Sequence, residues 1–339
     1  MKFPGSHVIS IEQFERGDIE TLFQVADRME PYAHRRMVTR VLDGAFLGSM
    51  FFEPSTRTRV SFGCAFNLLG GEVRETTGFE STSLAKGESL YDTARVLSGY
   101  SDIIVMRHPT AGSVAEFARA SRVPVINGGD GANEHPSQAL LDLYTIRKEV
   151  QGQGRDGIDG LSIGMIGDLK YGRTVHSLSK LLCLFRNITV TLISPRELRM
   201  PEGIVEQLRA AGHTVVESDN LEQSLSHVDI AYATRIQEER FGSLDEALLY
   251  RGRYRLNQAA YTQYCKPNTV LMHPLPRDSR AEANELDNDL NDNPHLAIFR
   301  QADNGVLVRM ALFALILDVA DQVDRHARPV NWYTERRFE

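Results

Sequence analysis

Between residues 55 and 59 the chain carries Ser55, Thr56, Arg57, Thr58 and Arg59, three hydroxyls and two guanidinium groups in consecutive positions. An apolar run from Ala45 to Phe52 precedes them, closed by Glu53 and Pro54, and Val60 to Leu69 follows, ended by Gly70 and Gly71. Pro54 stops a strand and biases Glu53 away from helical dihedrals. The spacing of Val60, Cys64 and Leu68 predicts one buried helix face, with residues 55–59 in the exposed first turn. A helix N-terminus offers unpaired N–H groups and about half a unit of positive charge. Hydroxyls and guanidinium groups placed there suit a phosphate. A plain Ser/Thr cap with solvated arginines is the simpler account. However, no Glu or Gln stands at the capping-box position, and cations stacked on a positive helix end destabilise it unless an anion arrives.

Further candidates sit where apolar runs give way to polar residues. Ser101 to Met106 reads as a buried strand that delivers Arg107 and His108 at its C-terminal end, the end beyond which open α/β sheets bind ligands. Val123 to Asn127 reads as another strand, leading through Gly128 to Gly131 into Glu134, His135, Pro136, Ser137 and Gln138. Ala139, Leu143, Ile146 and Val150 then recur at helical spacing, so Pro136 occupies a first turn, where it is tolerated. In the second half, Arg173 and Arg235 each follow a strand. They suit either two surface salt bridges or a ligand with two carboxylates gripped bidentately. Pro274 and Pro276 flank Leu275 after a last strand, fixing the backbone and leaving carbonyls to accept from N–H groups. Lys86 lies in a small, polar loop from Gly78 to Gly87, and by itself reads as a solvated lysine.

The elements needed to position these residues alternate strand and helix, which implies parallel sheets with right-handed crossovers. We expect an α/β chain of two doubly wound domains, residues 1–150 plus 303–339 and residues 151–302. The boundary falls in the glycine-rich stretch Gln151 to Gly160. Val8 to Met29 reads as two short helices with Asp18 as a cap, and Arg277 to Pro294 as an exposed acidic loop or short helix. Asn304 to Val323 reads as a buried helix returning to the first domain. Asp303, Arg309, Asp318 and Asp321 interrupt it too often for a membrane span. The 339 residues, 42% hydrophobic content and net charge of −7 fit a soluble protein and argue against nucleic acid as partner. Met1 to Gly5 lacks an apolar signal core, so a cytoplasmic location is expected. Cys64, Cys183 and Cys265 are widely spaced, which predicts buried thiols in a reducing compartment and no metal site.

Phe52 to Arg59, with His135-Pro136-Ser137-Gln138 and His273-Pro274-Leu275-Pro276, resembles the aspartate/ornithine carbamoyltransferase family over nearly the whole chain. Gly167 to Thr174 and Leu275 resemble its aspartate branch; the His-Cys-Leu-Pro and Ser-Met-Gly sequences typical of the ornithine branch are absent. The resemblance implies carbamoyl transfer from carbamoyl phosphate to the amine of L-aspartate, with no cofactor and no metal. It implies that Ser55, Thr56, Arg57 and Thr58 bind the phosphate, and that Arg107, His135 and Thr58 hold the carbonyl oxygen. Gln138 and the Pro274 and Leu275 carbonyls would hold the carbamoyl amine, and Arg173, Arg235 and Gln237, with Leu275, would bind aspartate. Ser83 and Lys86 would reach a neighbouring subunit's site, Ser83 contacting carbamoyl phosphate and Lys86 both substrates, which implies a homotrimer with shared sites. Glu53 would pair with Arg173 and Arg240 on domain closure. A regulatory chain or higher assembly is left open, because Ala85, the stretch after Arg277 and the C-terminal tail depart from the usual pattern. Three rival readings are transfer to ornithine, an inactive scaffold and a phosphate-binding kinase. The last lacks a Gly-x-x-x-x-Gly-Lys-Ser/Thr loop.

Overall fold

The computed structural model describes residues 1–78, 87–238, 241, 243, 248–278, 280, 283–325 and 327–332. By compactness the chain divides into two units, Met1–Leu141 with Asp303–Glu339, and Asp142–Ala302.

The first unit opens with a 3₁₀ turn, Ile11–Gln13, then α1 (Arg16–Arg28), α2 (Glu30–Ala33) and β1 (Met37–Val38). There follow β2 (Phe46–Phe51), α3 (Thr56–Leu68), β3 (Glu72–Thr77), α4 (Leu90–Leu97), β4 (Ile103–His108), α5 (Ser113–Ala120), β5 (Val125–Asp130) and the start of α6 (Pro136–Gly152). Four strands pair in parallel in the order β3-β2-β4-β5. The chain steps outward from β2 to β3 and then crosses back to β4, so the winding reverses between β2 and β4. A crevice forms at the carboxyl ends of strands where the order reverses, and those ends carry Glu53 to Thr58 and Arg107 to His108. Met50, Ile104 and Met106 bury against Val114 and Phe117 of α5.

Two expectations fail in this unit. Val60, Cys64 and Leu68 do not form the buried face of α3, since Val60 is 54% exposed and the other two are half-buried. Phe62 and Phe66 instead pack edge-on against Phe313, with ring centroids 5.9 and 5.0 Å away. Burying two aromatic rings outweighs burying Val, Cys and Leu, so the helix rolls to that side. Asp18 is not the cap of α1 but its third residue. Glu15 occupies the cap, and Asp18 Oδ2 accepts from the Glu15 N–H at 2.7 Å.

The second unit holds β6 (Ser162–Ile166), α7 (Arg173–Leu182), β7 (Thr189–Ile193), α8 (Glu202–Ala210), β8 (Thr214–Ser218), α9 (Leu221–Leu225), β9 (Ile230–Ala233), a helix Gln258–Tyr264 and β10 (Val270–Met272). Its five strands run parallel in the order β10-β9-β6-β7-β8. Here the winding reverses between β6 and β9. At the end of β6, Gly167 adopts φ +109°, and a Cβ there would lie 2.4 Å from the Thr234 carbonyl oxygen. Only glycine lets the two strand ends approach this closely. The stretch Arg277 to Pro294 is not simply exposed: Asn284, Glu285, Leu286 and Leu290 are buried, and Leu256 N–H donates to the Glu285 carbonyl at 2.9 Å. Its acidic residues alternate with apolar ones that the unit's core takes up.

The last long helix runs from Ile298 to Ile316, six residues earlier at its start than the sequence pattern suggests. It ends where Asp318 turns left-handed (φ 56°) and Val319 N–H donates back to the Ala314 carbonyl at 2.8 Å, a common way for helices to close. Among the described residues, no helix is long and apolar enough to cross a membrane.

Candidate active site

In the first unit, Ser55 enters α3 with extended backbone (φ −161°, ψ 95°) and makes no side-chain cap to its own helix. Its Oγ instead accepts from Arg107 Nη1 at 3.3 Å, and Arg107 Nε donates to Glu53 Oε2 at 2.9 Å. The Arg107 side chain is largely buried, so this ion pair keeps more of its Coulomb energy than a surface pair would. One turn into α3, Thr58 Oγ1 lies 3.4 Å from His135 Nε2, both residues buried. The β2, β4 and β5 strand ends thus bring Glu53, Ser55, Thr58, Arg107 and His135 together.

Thr56 and Arg57 are exposed in the same first turn. Although much of the residue stays exposed, desolvation of part of its side chain, and then the neighbouring Arg107 charge, make the Arg57 guanidinium a weaker base than usual. Two like charges held beside a helix N-terminus are the arrangement that a bound anion relieves. Arg59 departs from this cluster, because its Nη1 donates to Glu75 Oε2 on β3 at 3.2 Å. Gln138 stands one turn past the His135 position, half-buried, with its N–H donating to the His135 carbonyl at 3.0 Å.

The loop before His135 is held by two buried carboxylates that the sequence pattern does not single out. Asp130 Oδ1 accepts from Glu134 N–H at 3.1 Å and Oδ2 from Gly112 N–H at 2.9 Å. Glu134 Oε2 accepts from Ile11 N–H at 2.7 Å. Beside it, His108 Nδ1 accepts from Thr110 N–H at 3.1 Å, and burial lowers the affinity of that ring for protons.

In the second unit Arg173 opens α7, and Thr234 to Gln237 follow β9. Asp168, fully buried, joins the two strand ends: its Oδ1 accepts from Tyr171 N–H at 2.9 Å and its Oδ2 from Gln237 N–H at 3.1 Å. Arg235 Nη1 donates to the Ile236 carbonyl at 3.2 Å, and Arg173, Arg235 and Gln237 are all partly exposed. After β10, His273 Nδ1 accepts from Leu275 N–H at 2.8 Å. That bond leaves the ring hydrogen on Nε2, 2.7 Å from Glu285 Oε1. Leu275 is left-handed (φ 57°) and is followed by a cis bond to Pro276. A left-handed leucine is strained and persists only where surrounding contacts over-determine it.

Ser83, Lys86 and Arg240 lie outside the described residues. Among the described residues, no group of three or more His, Cys, Asp or Glu side chains could hold a metal.

Two family models match the chain. One, for the carbamoyl-P binding domain of aspartate/ornithine carbamoyltransferases, covers residues 6–148, and the other, for the Asp/Orn binding domain, covers residues 159–316. The chain is 76% identical over 338 residues to the aspartate carbamoyltransferase catalytic subunit of Saccharophagus degradans, covering 100% of both chains. It is 75% identical to that of Cellvibrio japonicus, covering 99% of both. Among solved structures, the catalytic subunit of M. jannaschii aspartate transcarbamoylase matches with a TM-score of 0.83 and 43% identity, over 94% of this chain and 99% of that one. Aspartate transcarbamoylase from Trypanosoma cruzi in complex with carbamoyl phosphate and aspartate matches with a TM-score of 0.85 and 38% identity, over 93% and 98%.

Proposed function

The chain belongs to the aspartate/ornithine carbamoyltransferase family, and from that premise we propose how its residues divide the labour of the reaction. The enzyme transfers the carbamoyl group of carbamoyl phosphate to the amine of L-aspartate, giving N-carbamoyl-L-aspartate and phosphate, a step of pyrimidine biosynthesis. The first unit is the carbamoyl phosphate domain. Ser55, Thr56, Arg57 and Thr58 take the phosphate at the start of α3, supported by a Ser55 hydroxyl turned away from capping its own helix. The second unit is the aspartate domain, where Arg173, Arg235 and Gln237 take the two carboxylates.

Attack by the amine on the carbamoyl carbon places negative charge on the carbonyl oxygen. Fixed donors stabilise such charge without reorganising, and Arg107, Thr58 and His135 supply them. The observation that carries this role is their assembly: Arg107 is already oriented by Glu53 and Ser55, and Thr58 already meets His135. Gln138 and the Pro274 and Leu275 carbonyls hold the carbamoyl amine. No protein nucleophile is needed. Burial pushes the Cys265 thiol up to about 12 and raises that of Cys183 as well, so neither thiol is activated. The departing phosphate can take the amine proton. Ser83 and Lys86 complete a neighbouring subunit's site in a cytoplasmic homotrimer, a reading supported by the family resemblance.

Supplying carbamoyl phosphate with aspartate or with ornithine tests the acceptor. Carbamoyl aspartate is the expected product, and citrulline formed at the greater rate would overturn the assignment.

A further inference from the structure

The second unit contains a buried polar chain that none of the assigned substrate contacts uses. Asp142, in α6, is fully buried, as is Tyr232 of β9. Asp142 Oδ2 accepts from the Tyr232 hydroxyl at 2.7 Å and its Oδ1 from Gln301 Nε2 at 2.6 Å. Gln301, also buried, accepts from His273 N–H through Oε1 at 3.0 Å. At the other end, the Thr174 side chain hydrogen-bonds the Tyr232 hydroxyl. The network therefore takes in the residue that follows Arg173 in the chain, the residue three before Arg235, and, in His273, the residue before Pro274.

A carboxylate taken wholly out of water is expensive, and an apolar replacement of similar size often serves stability as well or better. Such a network is best explained by what its ends hold. Burial, and then the Asp142 charge, keep the Tyr232 phenol protonated far above its ordinary range, so it stays a donor to Asp142. With Asp142 accepting on both oxygens, Gln301 can present only its carbonyl oxygen to His273, which fixes the amide orientation. The strained Leu275 that follows requires such an anchor.

We propose that Asp142, Tyr232 and Gln301 are positioning residues with two arms: Tyr232 and Thr174 set Arg173 for aspartate, and Gln301 sets the Pro274 and Leu275 carbonyls for the carbamoyl amine. This rests on the assignment of Arg173, Pro274 and Leu275 to substrate. The two arms have different kinetic signatures, which general loosening of the fold would not give.

The test is steady-state kinetics of the full-length enzyme, with inorganic phosphate affinity and thermal unfolding measured alongside. Tyr232→Phe is expected to raise the aspartate KM about tenfold with kcat within about twofold. Gln301→Met is expected to lower kcat about tenfold, with the aspartate KM rising by much less than in Tyr232→Phe, because Leu275 is one of several aspartate contacts. Asp142→Asn is expected to do both while phosphate affinity stays at the parent value. Equal proportional changes in the two single variants, parent kinetics in both, or loss of phosphate affinity alongside would each overturn the proposal. Arg173→Ala separates the premise from the inference. If Arg173→Ala leaves the aspartate KM unchanged, the site assignment fails; if it raises KM while Tyr232→Phe does not, the network alone fails.

Discussion

Arg57 and Arg59 stand two positions apart in one helical turn, yet of the two Arg57 alone stays with the cluster proposed to bind phosphate. Arg59 reaches β3 and pairs with Glu75 at 3.2 Å, while Arg57 shares its surroundings with Arg107. Arg57→Ala should therefore lower kcat/KM for carbamoyl phosphate by about ten- to a hundredfold, the loss of one or two charge-assisted hydrogen bonds. Arg59→Ala should stay close to the parent, since a half-exposed ion pair contributes about 0–1 kcal/mol. Initial rates at varied carbamoyl phosphate separate the two, and equal losses would contradict the split. For His135, the proposed role as one oxyanion donor predicts a kcat about 10²–10³ lower when it is removed, checked in His135→Ala at saturating substrates. Composition and spacing point to Arg57 and Arg59, because hydroxyls and guanidinium groups gathered at a positive helix end suit an anion. Asp168, Asp130 and Glu134 were not legible as anchors. Their partners include Gln237, Gly112 and Ile11, 69, 18 and 123 positions away, and no local period records a carboxylate that answers a distant N–H.

Among the elements, the parallel strands were the easiest to read, since a strand buried on both faces is a near-continuous apolar run. Ile103 to Met106 and Ile163 to Ile166 are such runs; Arg107 at the end of the first strand and Asp168 just past the second belong to the candidate site. The face of α3 was harder, because Val60, Cys64 and Leu68 share helical spacing just as Phe62, Phe66 and Leu69 do, and only Phe313, some 250 residues on, decides between them. At the β6–β9 reversal, Gly167→Ala places a methyl carbon where 2.4 Å separates it from a carbonyl oxygen. Backbone strain of this kind should destabilise the fold by about 1–3 kcal/mol, read as a lower urea midpoint, and an unchanged midpoint would argue against the close approach. Asp229, just before β9, offers a pH test. Burial alone would raise its carboxyl, but Lys266 Nζ at 2.7 Å, the Ser162 N–H at 2.9 Å and Arg155 at 3.0 Å bring the net shift below the ordinary carboxylate range. A depressed folded value contributes stability that is present above the unfolded pKa and lost as pH falls through the folded one. Lys266→Met should thus cost stability at neutral pH, with the difference from the parent shrinking below about pH 4; a pH-independent difference would rule out the ion pair as its source.

At the scale of the whole molecule, each unit is a separate doubly wound sheet with its own reversal point, and each reversal point carries one chemically distinct set of groups. Hydroxyls, guanidinium groups and an imidazole gather in the first; Arg173, Arg235 and Gln237 follow the strands of the second. The alternation of strand and helix makes that architecture readable in the sequence, whereas assembly is not written in periodicity. The proposed homotrimer predicts a solution mass about three times the 38.0 kDa chain, measured by light scattering, with a monomer mass contradicting it. The division of substrates between the two units is the claim on which the rest depends. It is tested most directly by the rate of carbamoyl aspartate formation in Arg57→Ala and Arg235→Ala, with each substrate varied in turn. Arg57→Ala is expected to raise KM for carbamoyl phosphate, and Arg235→Ala to raise KM for aspartate. Parent values in both variants, or the two effects interchanged, would contradict it.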